Sequence, residues 1–292
     1  MSDPDVTIIA VSYFGSSDAQ LLASSLRQQD FQDWQLLLVD NTTDAEEARR
    51  LAEIAAEDGR LRVLSPGSNL GYFGAAQFAL DTVAFEGDAI VMNTDIVFSE
   101  PRVLGRMRTE SLSDETLGAI APAVISSRSH RDQNPHLTRL PSVRSSSLRR
   151  WATATPLLTQ LSVFYSDMRR RVPQTTPIAA TPPTMIYAAH GSCIYLTDRY
   201  FKNSGDFKHH LFLFGEEIYV AEHVRRNGLA VRYLPDARMN HVEHGSMGMQ
   251  RSRFLLKLSG RATKYALQVA RSASQEQRVN PDTAPGASGE TP

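Results

Sequence analysis

Three short segments of this chain place carboxylates where chemistry could be done. Asn93-Thr94-Asp95 closes the apolar run Asp88 to Met92 and precedes the apolar pair Ile96-Val97. A carboxylate at such a strand end can hold a divalent cation against a diphosphate, because hard cations favour oxygen ligands. An Asp there equally fits a plain turn or a helix cap. Glu216-Glu217 follow the apolar run Leu211 to Phe214 and Gly215. Adjacent carboxylates repel, so one should keep its proton to higher pH if both are partly buried, which is tuning of the kind a general base needs. The pair also suits the first turn of a helix, where acids meet the positive end of the dipole; the two readings are compatible. Asp40 ends the apolar run Trp34 to Val39 and can accept from the N3–H of uracil or thymine, or simply cap the turn Asn41-Thr42. His241 and His244 stand three apart, a spacing that can ligate metal and that a polar loop also produces. Neither a Cys/His zinc spacing nor a Gly-x-Ser-x-Gly elbow occurs.

These residues need elements to bring them together. Val6 to Val11 is a β-branched run fit for a buried parallel strand. Ser17 with Gln20 predicts a capping-box helix start, the helix running to about Gln29. Trp34 to Val39 reads as a second buried strand. Thr43 with Glu46 predicts a capped helix to about Asp58, stopped by Gly59. Leu61 to Leu64 is a third strand, and the loop Asn69 to Gly74 leads to a helix from about Ala75 to Ala84. Asp88 to Met92 is a fourth strand. The order βαβαβαβ predicts an α/β fold, a mostly parallel sheet with helices on both faces. Ligands of such sheets sit beyond the carboxyl ends of the strands, where Ser12, Tyr13, Asp40, Asn69 to Gly74 and Asn93 to Asp95 all fall.

The chain has 292 residues, 41% of them hydrophobic, enough to bury a full core in one large domain or one with an appendage. A net charge of −1 argues against a dedicated nucleic-acid binder. Yet residues 1 to 125 hold 8 Lys/Arg against 20 Asp/Glu, and residues 126 to 292 hold 23 against 12, so the second half has reason to meet an anion such as a phosphate or a lipid surface. Residues 126–183 are Ser-, Arg- and Pro-rich, with nine arginines and two acids between Arg128 and Arg171, and an apolar helical stretch within Trp151 to Met168. They read as a basic helical insertion. Order returns over 184–250, at Thr184 to Leu196 and Leu229 to Tyr233. Residues 251–272 read as a basic amphipathic helix interrupted at Ser259-Gly260, its apolar face formed by Phe254, Leu255, Leu258, Ala262, Tyr265 and Val269. That face fits an anionic bilayer or a protein surface. Residues 273–292 read as a disordered tail. Cys193 is the only cysteine, so no internal disulfide can form, which suits a reducing compartment. The start MSDPDVTIIAVSY lacks a basic n-region, and no apolar stretch approaches the roughly 20 residues that span a bilayer. The expectation is a cytoplasmic protein, soluble or peripheral on the inner face of the plasma membrane, with its oligomeric state left open.

Taken together, these segments resemble the family-2 glycosyltransferases, which have the GT-A nucleotide-sugar-binding fold. The stretches that carry the resemblance are VTIIAVSY, LLLVDN, NLGYFGAAQFAL and VMNTDIVF, then HGSCIYL, FLFGEEIYVAEHVRRNGLAVRYLPDARMNH and the closing HGS. It runs from about Val6 to Ser246 without the region 126–183, and is nearest to bacterial enzymes that build rhamnose-containing or capsular surface polysaccharides. The resemblance implies an inverting transferase that moves a sugar from a nucleotide diphosphate donor of UDP or dTDP type to a hydroxyl of a glycan or lipid-linked glycan, using Mn2+ or Mg2+. Residues 1–125 would be the nucleotide-sugar-binding half and 184–250 the acceptor and catalytic half. Ser12, Tyr13 and Asp40 would hold nucleobase and ribose; Asn69, Gly71, Tyr72 and Gly74 would line the donor pocket, their glycines letting backbone approach the ligand. Asn93 and Asp95 match the Asp-x-Asp type metal motif, and His241 the histidine that completes the metal site. Glu216-Glu217 match a Glu-Asp pair whose second member is usually the base. His190, Gly191 and Ser192 would lie near the acceptor. Asn93 stands where the family has a first carboxylate, Glu217 where Asp is commoner, and Ala75-Ala76 where small glycines are usual, so the choice between Glu216 and Glu217 stays open.

Rival readings fare worse. A dinucleotide-binding dehydrogenase needs Gly-x-Gly-x-x-Gly after the first strand, and Ser12 to Ser17 offers one glycine. A nucleotidyltransferase wants a Gly-rich basic loop there. A catalytically inactive sugar-binding scaffold would be expected to lose Asp95 or both glutamates, and all three are present.

Overall fold

The computed structural model describes residues 4–84, 86–155, 182–243 and 253–279. At its centre is one nine-stranded sheet. Strands β1 (Val6–Ser12), β2 (Trp34–Asp40), β3 (Leu61–Leu64) and β4 (Asp88–Asn93) run parallel in the order β3-β2-β1-β4. Strand β8 (Cys193–Leu196) lies antiparallel between β4 and β6 (Leu117–Ser126), and β9 (Ala230–His241) runs parallel to β6. The short β5 (Ile96–Phe98) and β7 (Thr184–Ile186) pair antiparallel with opposite ends of β9. Most strands therefore share one direction, as the sequence predicts. The fold is α/β.

Alternation along β1 explains its unbroken apolar run. Val6, Ile8 and Ala10 join one core with Leu22 of α1 (Ser16–Arg27), Leu51 of α2 (Ala45–Ala56) and Met107 of α4 (Val103–Ser113). Ile9 joins the other core with Phe73 and Ala76 of α3 (Tyr72–Thr82) and Val224 of α7 (Glu216–Arg226). A strand covered on both faces has no side left for polar residues.

The helix starts differ from the predicted ones because local contacts set them. Gly15, not Ser17, precedes α1 and gives no side-chain cap. Glu47 of α2 does that work from outside, accepting from the Ser16 amide at 2.7 Å and the Ser16 hydroxyl at 2.9 Å. Asp44, not Thr43, caps α2 by accepting from the Glu47 amide at 2.9 Å. Helix α3 begins at Tyr72, earlier than Ala75, because Gly71 turns the chain with φ +76°.

The described part of the insertion is tied into the sheet. Asp132 accepts from the Val124 amide and from the Tyr233 hydroxyl, at 2.9 and 2.6 Å. Helix α5 (Val143–Ala152) follows, and the expected apolar stretch Leu157 to Tyr165 lies outside the described residues. A short helix, α6 (Asp198–Lys202), follows β8.

The C-terminal helix α8 (Arg253–Val279) is continuous through Ser259-Gly260 and extends over 273–279, where the sequence suggests a tail; residues 280–292 lie outside the described residues. Gly260 marks a helix crossing and not a break. A β-carbon there would meet the carbonyl oxygen of Thr153, the C-cap residue of α5, at 3.5 Å, and the Thr153 and Thr263 hydroxyls meet at 2.7 Å. The buried face consists of Leu256, Leu258, Val269, Ala270 and Ala273, whereas Phe254 is exposed. Tyr265 packs at a tilt against His209, and Glu276 pairs with Arg225 at 2.7 Å. Of the apolar face that the sequence offers to a bilayer, the chain itself buries Leu258 and Val269, half-buries Leu255, Ala262 and Tyr265, and leaves Phe254 exposed. Among the described residues no helix is long and apolar enough to cross a membrane. Leu258→Ala is therefore expected to cost about 2–5 kcal/mol of folding stability, as for other buried leucines, measured by urea unfolding. An unchanged midpoint would mean the face is free.

Candidate active site

The carboxyl ends of the parallel strands form one rim, and strand direction decides what reaches it. Ser12, Asp40 and Asn93 end β1, β2 and β4, and Ser126 and His241 end β6 and β9. Because β8 runs the other way, its start lies at the same rim: the Asn93 amide donates to the Ser192 carbonyl at 2.9 Å. His190-Gly191-Ser192 are brought beside Asn93-Thr94-Asp95 in this way.

Asp95 and His241 come together through the β5–β9 ladder. Ile96 is in register with His241, and the Val242 amide donates to the Asp95 carbonyl at 2.9 Å. His241 Nε2 then stands 3.2 Å from Asp95 Oδ2. A nitrogen lone pair and a carboxylate oxygen at that separation need a proton or a cation between them. The other carboxylate oxygen, Oδ1, is buried with no hydrogen-bond partner. A buried carboxylate oxygen without a donor is costly, and a divalent cation would satisfy it. The carboxylate is the hard oxygen donor that manganese and magnesium favour, the imidazole is a borderline donor, and the site has no soft thiolate among its described ligands. Among the described residues no three His, Cys, Asp or Glu side chains cluster as a metal cage, and diphosphate oxygens and water could complete the shell around these two. His244, with the closing His-Gly-Ser, lies outside the described residues.

Helix α7 sets the two glutamates apart. Phe214 and Gly215 turn the chain with φ +70° and +94°, and Glu216 folds back so that Oε1 accepts from the Phe214 amide at 2.9 Å. Glu216 is buried, and Glu217 half-buried. Burial, and next the charge of Glu217, push the Glu216 carboxyl up to about 8. Glu217 leans over the rim: a β-carbon on Gly191 would stand 2.9 Å from its Oε1. The Tyr72 hydroxyl donates to the Gly191 carbonyl at 2.9 Å. Burial first, then the charges of Cys193, Glu216, Glu217 and Asp95, hold that phenol far above its usual range, so it stays a donor. In the neighbouring loop, Ser192 N–H donates to His190 Nδ1 at 3.2 Å, and the Asn134 side chain accepts from the His190 amide at 2.7 Å.

On the β1–β2 side, Tyr13 is 42% exposed and its ring packs edge-on against Phe14. The Ser12 hydroxyl is buried without a partner. Asp40 serves the turn: Oδ1 accepts from the amide and hydroxyl of Thr42, at 3.1 and 2.6 Å. Asn69 and Gly71 are gathered by Asn41, whose amide donates to Asn69 Oδ1 and to the Gly71 carbonyl, each at 3.0 Å. Gly71 is glycine for a reason other than ligand approach. A β-carbon there would collide with the Phe212 carbonyl, which accepts from the Tyr72 amide at 3.2 Å. Gly74 lies within the first turn of α3 beside Leu70. Sequence reading misses Asn41 and Gln133 as organisers of the site; the Asp-Asn pair at a strand end was the available signal for the first.

The raised Glu216 has a consequence for stability. Between the ordinary carboxylate value of 4.5 and about 8 the folded chain holds a proton that the unfolded chain releases. Its contribution is complete below the unfolded value and lost as pH rises through the folded one. Glu216→Gln should flatten the fall in unfolding free energy between pH 5 and 9 while keeping the acceptor for Phe214. An identical pH slope in wild type and variant would contradict the assignment.

No family model and no curated protein sequence matches the chain. Solved structures do. A mannosyltransferase, PcManGT from Pyrobaculum calidifontis, in complex with GDP-Man and Mn2+, matches over 96% of this chain and 76% of its own, with a TM-score of 0.53 and 14% identity. GalNAc-T7 with UDP, GalNAc and Mn2+ matches over 97% of this chain, with a TM-score of 0.63 and 14% identity; the chain spans 53% of that protein's length. The sheet, the helices on both faces and these likenesses together establish the GT-A type of glycosyltransferase fold.

Proposed function

We propose that the chain is a metal-dependent inverting glycosyltransferase that moves a sugar from a nucleotide diphosphate donor to a hydroxyl of a glycan or lipid-linked glycan. The observation that carries the reading is the meeting, on one rim, of Asp95 and His241 with Glu217 over Gly191. The two solved glycosyltransferases described above contain Mn2+ and a nucleotide or nucleotide sugar. A divalent cation at Asp95 and His241 would offset the charge of the departing diphosphate. Tyr13 offers an exposed ring to the base, and Ser12 and Asp40, both buried, end the adjacent strands β1 and β2. Glu217 takes the proton of the acceptor hydroxyl as that oxygen bonds to the anomeric carbon; the bond to the diphosphate oxygen breaks and its electron pair leaves with the diphosphate. One displacement inverts the centre, and no covalent nucleophile is needed. Glu216, buried and tied to Phe214, sets the turn from which Glu217 projects. His190 and Ser192 flank Gly191 on the acceptor side. The resemblance of the sequence to polysaccharide-building bacterial enzymes suggests a surface glycan as product. Lys257, Arg261, Lys264 and Arg271 remain exposed on α8. With Leu258 and Val269 of the apolar face buried against the chain, contact with an anionic lipid surface would be mainly electrostatic and should weaken at high salt.

A thermal-shift screen of nucleotide sugars with Mn2+ or Mg2+ identifies the donor, since a bound ligand stabilises by an amount set by its concentration over its dissociation constant. With the donor in hand, Glu217→Gln should keep donor binding and cut turnover by roughly 10²–10⁴-fold. A near-normal rate for this variant beside an inactive Glu216→Gln would move the base by one residue. Asp40→Ala should weaken uridine or thymidine diphosphate donors selectively; tight binding of a guanosine donor untouched by that change would contradict the base-reading role.

A further inference from the structure

A chain of hydrogen bonds behind His241 begins at Glu243. The Glu243 carboxylate accepts from the Ser126 hydroxyl at 2.8 Å through Oε2 and from Gln133 Nε2 at 3.1 Å through Oε1. A carboxylate accepts and an amide nitrogen donates, so Glu243 dictates which end of the Gln133 amide faces it. The amide oxygen is thereby turned to His241, with Oε1 2.8 Å from Nδ1. An amide oxygen cannot donate, and the hydrogen in that contact belongs to Nδ1. Nε2 is then the nitrogen left to face Asp95. Gln133 is held in place by its own backbone, whose amide donates to the Val124 carbonyl at 2.8 Å on β6.

We infer that Gln133, oriented by Glu243, is the positioning residue that fixes His241 with its proton on Nδ1 and its Nε2 turned to Asp95 and a divalent cation. The inference rests on the metal reading proposed above. Histidines that ligate metals need their second nitrogen held by an acceptor, and loss of that acceptor weakens binding by roughly 10- to 100-fold. Here the acceptor comes from the basic insertion, a segment separate from the strand that carries His241.

Two measurements test it. Nitrogen-15 spectra of the His241 ring in metal-free protein should show a hydrogen on Nδ1. Mn2+ titrations followed by electron paramagnetic resonance should show Gln133→Leu binding roughly 10- to 100-fold more weakly than wild type. Glu243→Gln alone, which leaves the amide free to turn, should also weaken Mn2+. Exchanging the pair, Gln133→Glu with Glu243→Gln, puts an acceptor back on Nδ1 and a donor back between the two, and should restore most of the lost affinity. A wild-type ring without hydrogen on Nδ1 overturns the inference. So does wild-type Mn2+ affinity in folded Gln133→Leu and Glu243→Gln. If the wild type binds no Mn2+, the metal reading fails, and the Nδ1 spectrum still decides what Gln133 does.

Discussion

The pairing of β5 with β9 is the constraint on which the candidate site depends. Three residues of β5 lie against the last three of β9, with Ile96 opposite His241. A shift of one residue in that ladder would turn every side chain of the short strand to the other face. Asp95 precedes β5 directly, so the ladder fixes where its backbone stops and its carboxylate starts. The Val242 amide on the Asp95 carbonyl closes the last rung. Two residues 146 positions apart in sequence are thus brought to 3.2 Å by backbone geometry, before any side-chain preference acts.

The second half of the sheet supplies what faces this pair. Strand β8 reverses direction beside β4, so the turn before it enters the rim instead of leaving it. That reversal puts Gly191 within reach of both the Tyr72 hydroxyl and the Glu217 carboxylate. The two positive-φ residues before α7 then separate the glutamates into one buried and one facing the rim. Helix α8 closes over the turn from behind, with Tyr265 against His209. The C-terminal helix therefore belongs to the scaffold of the site.

Much of this was legible in the residues. Continuous apolar runs that end in Ser12, Asp40 and Asn93 imply parallel strands, and parallel strands imply a rim. The doubled glutamate implied that one member would keep its proton, and burial selects Glu216. Other features were hidden for physical reasons. Strand β6 contains Pro122, which has no amide hydrogen for a ladder and sits at the irregularity where Pro122 pairs with Leu234 and Ala123 with Arg238. Gly71 looked like a ligand-approach glycine, yet what occupies its missing β-carbon is the Phe212 carbonyl, 141 residues away in sequence. Gln133 lies in a segment with no periodicity, and a glutamine has no chemical signature until its neighbours fix its amide. The amphipathy of α8 was visible, but periodicity cannot say which surface covers an apolar face.

With Asp95 and His241 as the proposed protein ligands, bound metal and diphosphate would each be incomplete without the other. Binding should then be reciprocal, each tightening the other by the same factor. Calorimetry of a uridine diphosphate titration with and without Mn2+, and of Mn2+ with and without uridine diphosphate, measures this directly. Equal positive coupling is expected in both directions, abolished by Asp95→Ala in folded protein. Uridine diphosphate binding that is indifferent to Mn2+, or coupling that survives Asp95→Ala, would contradict it.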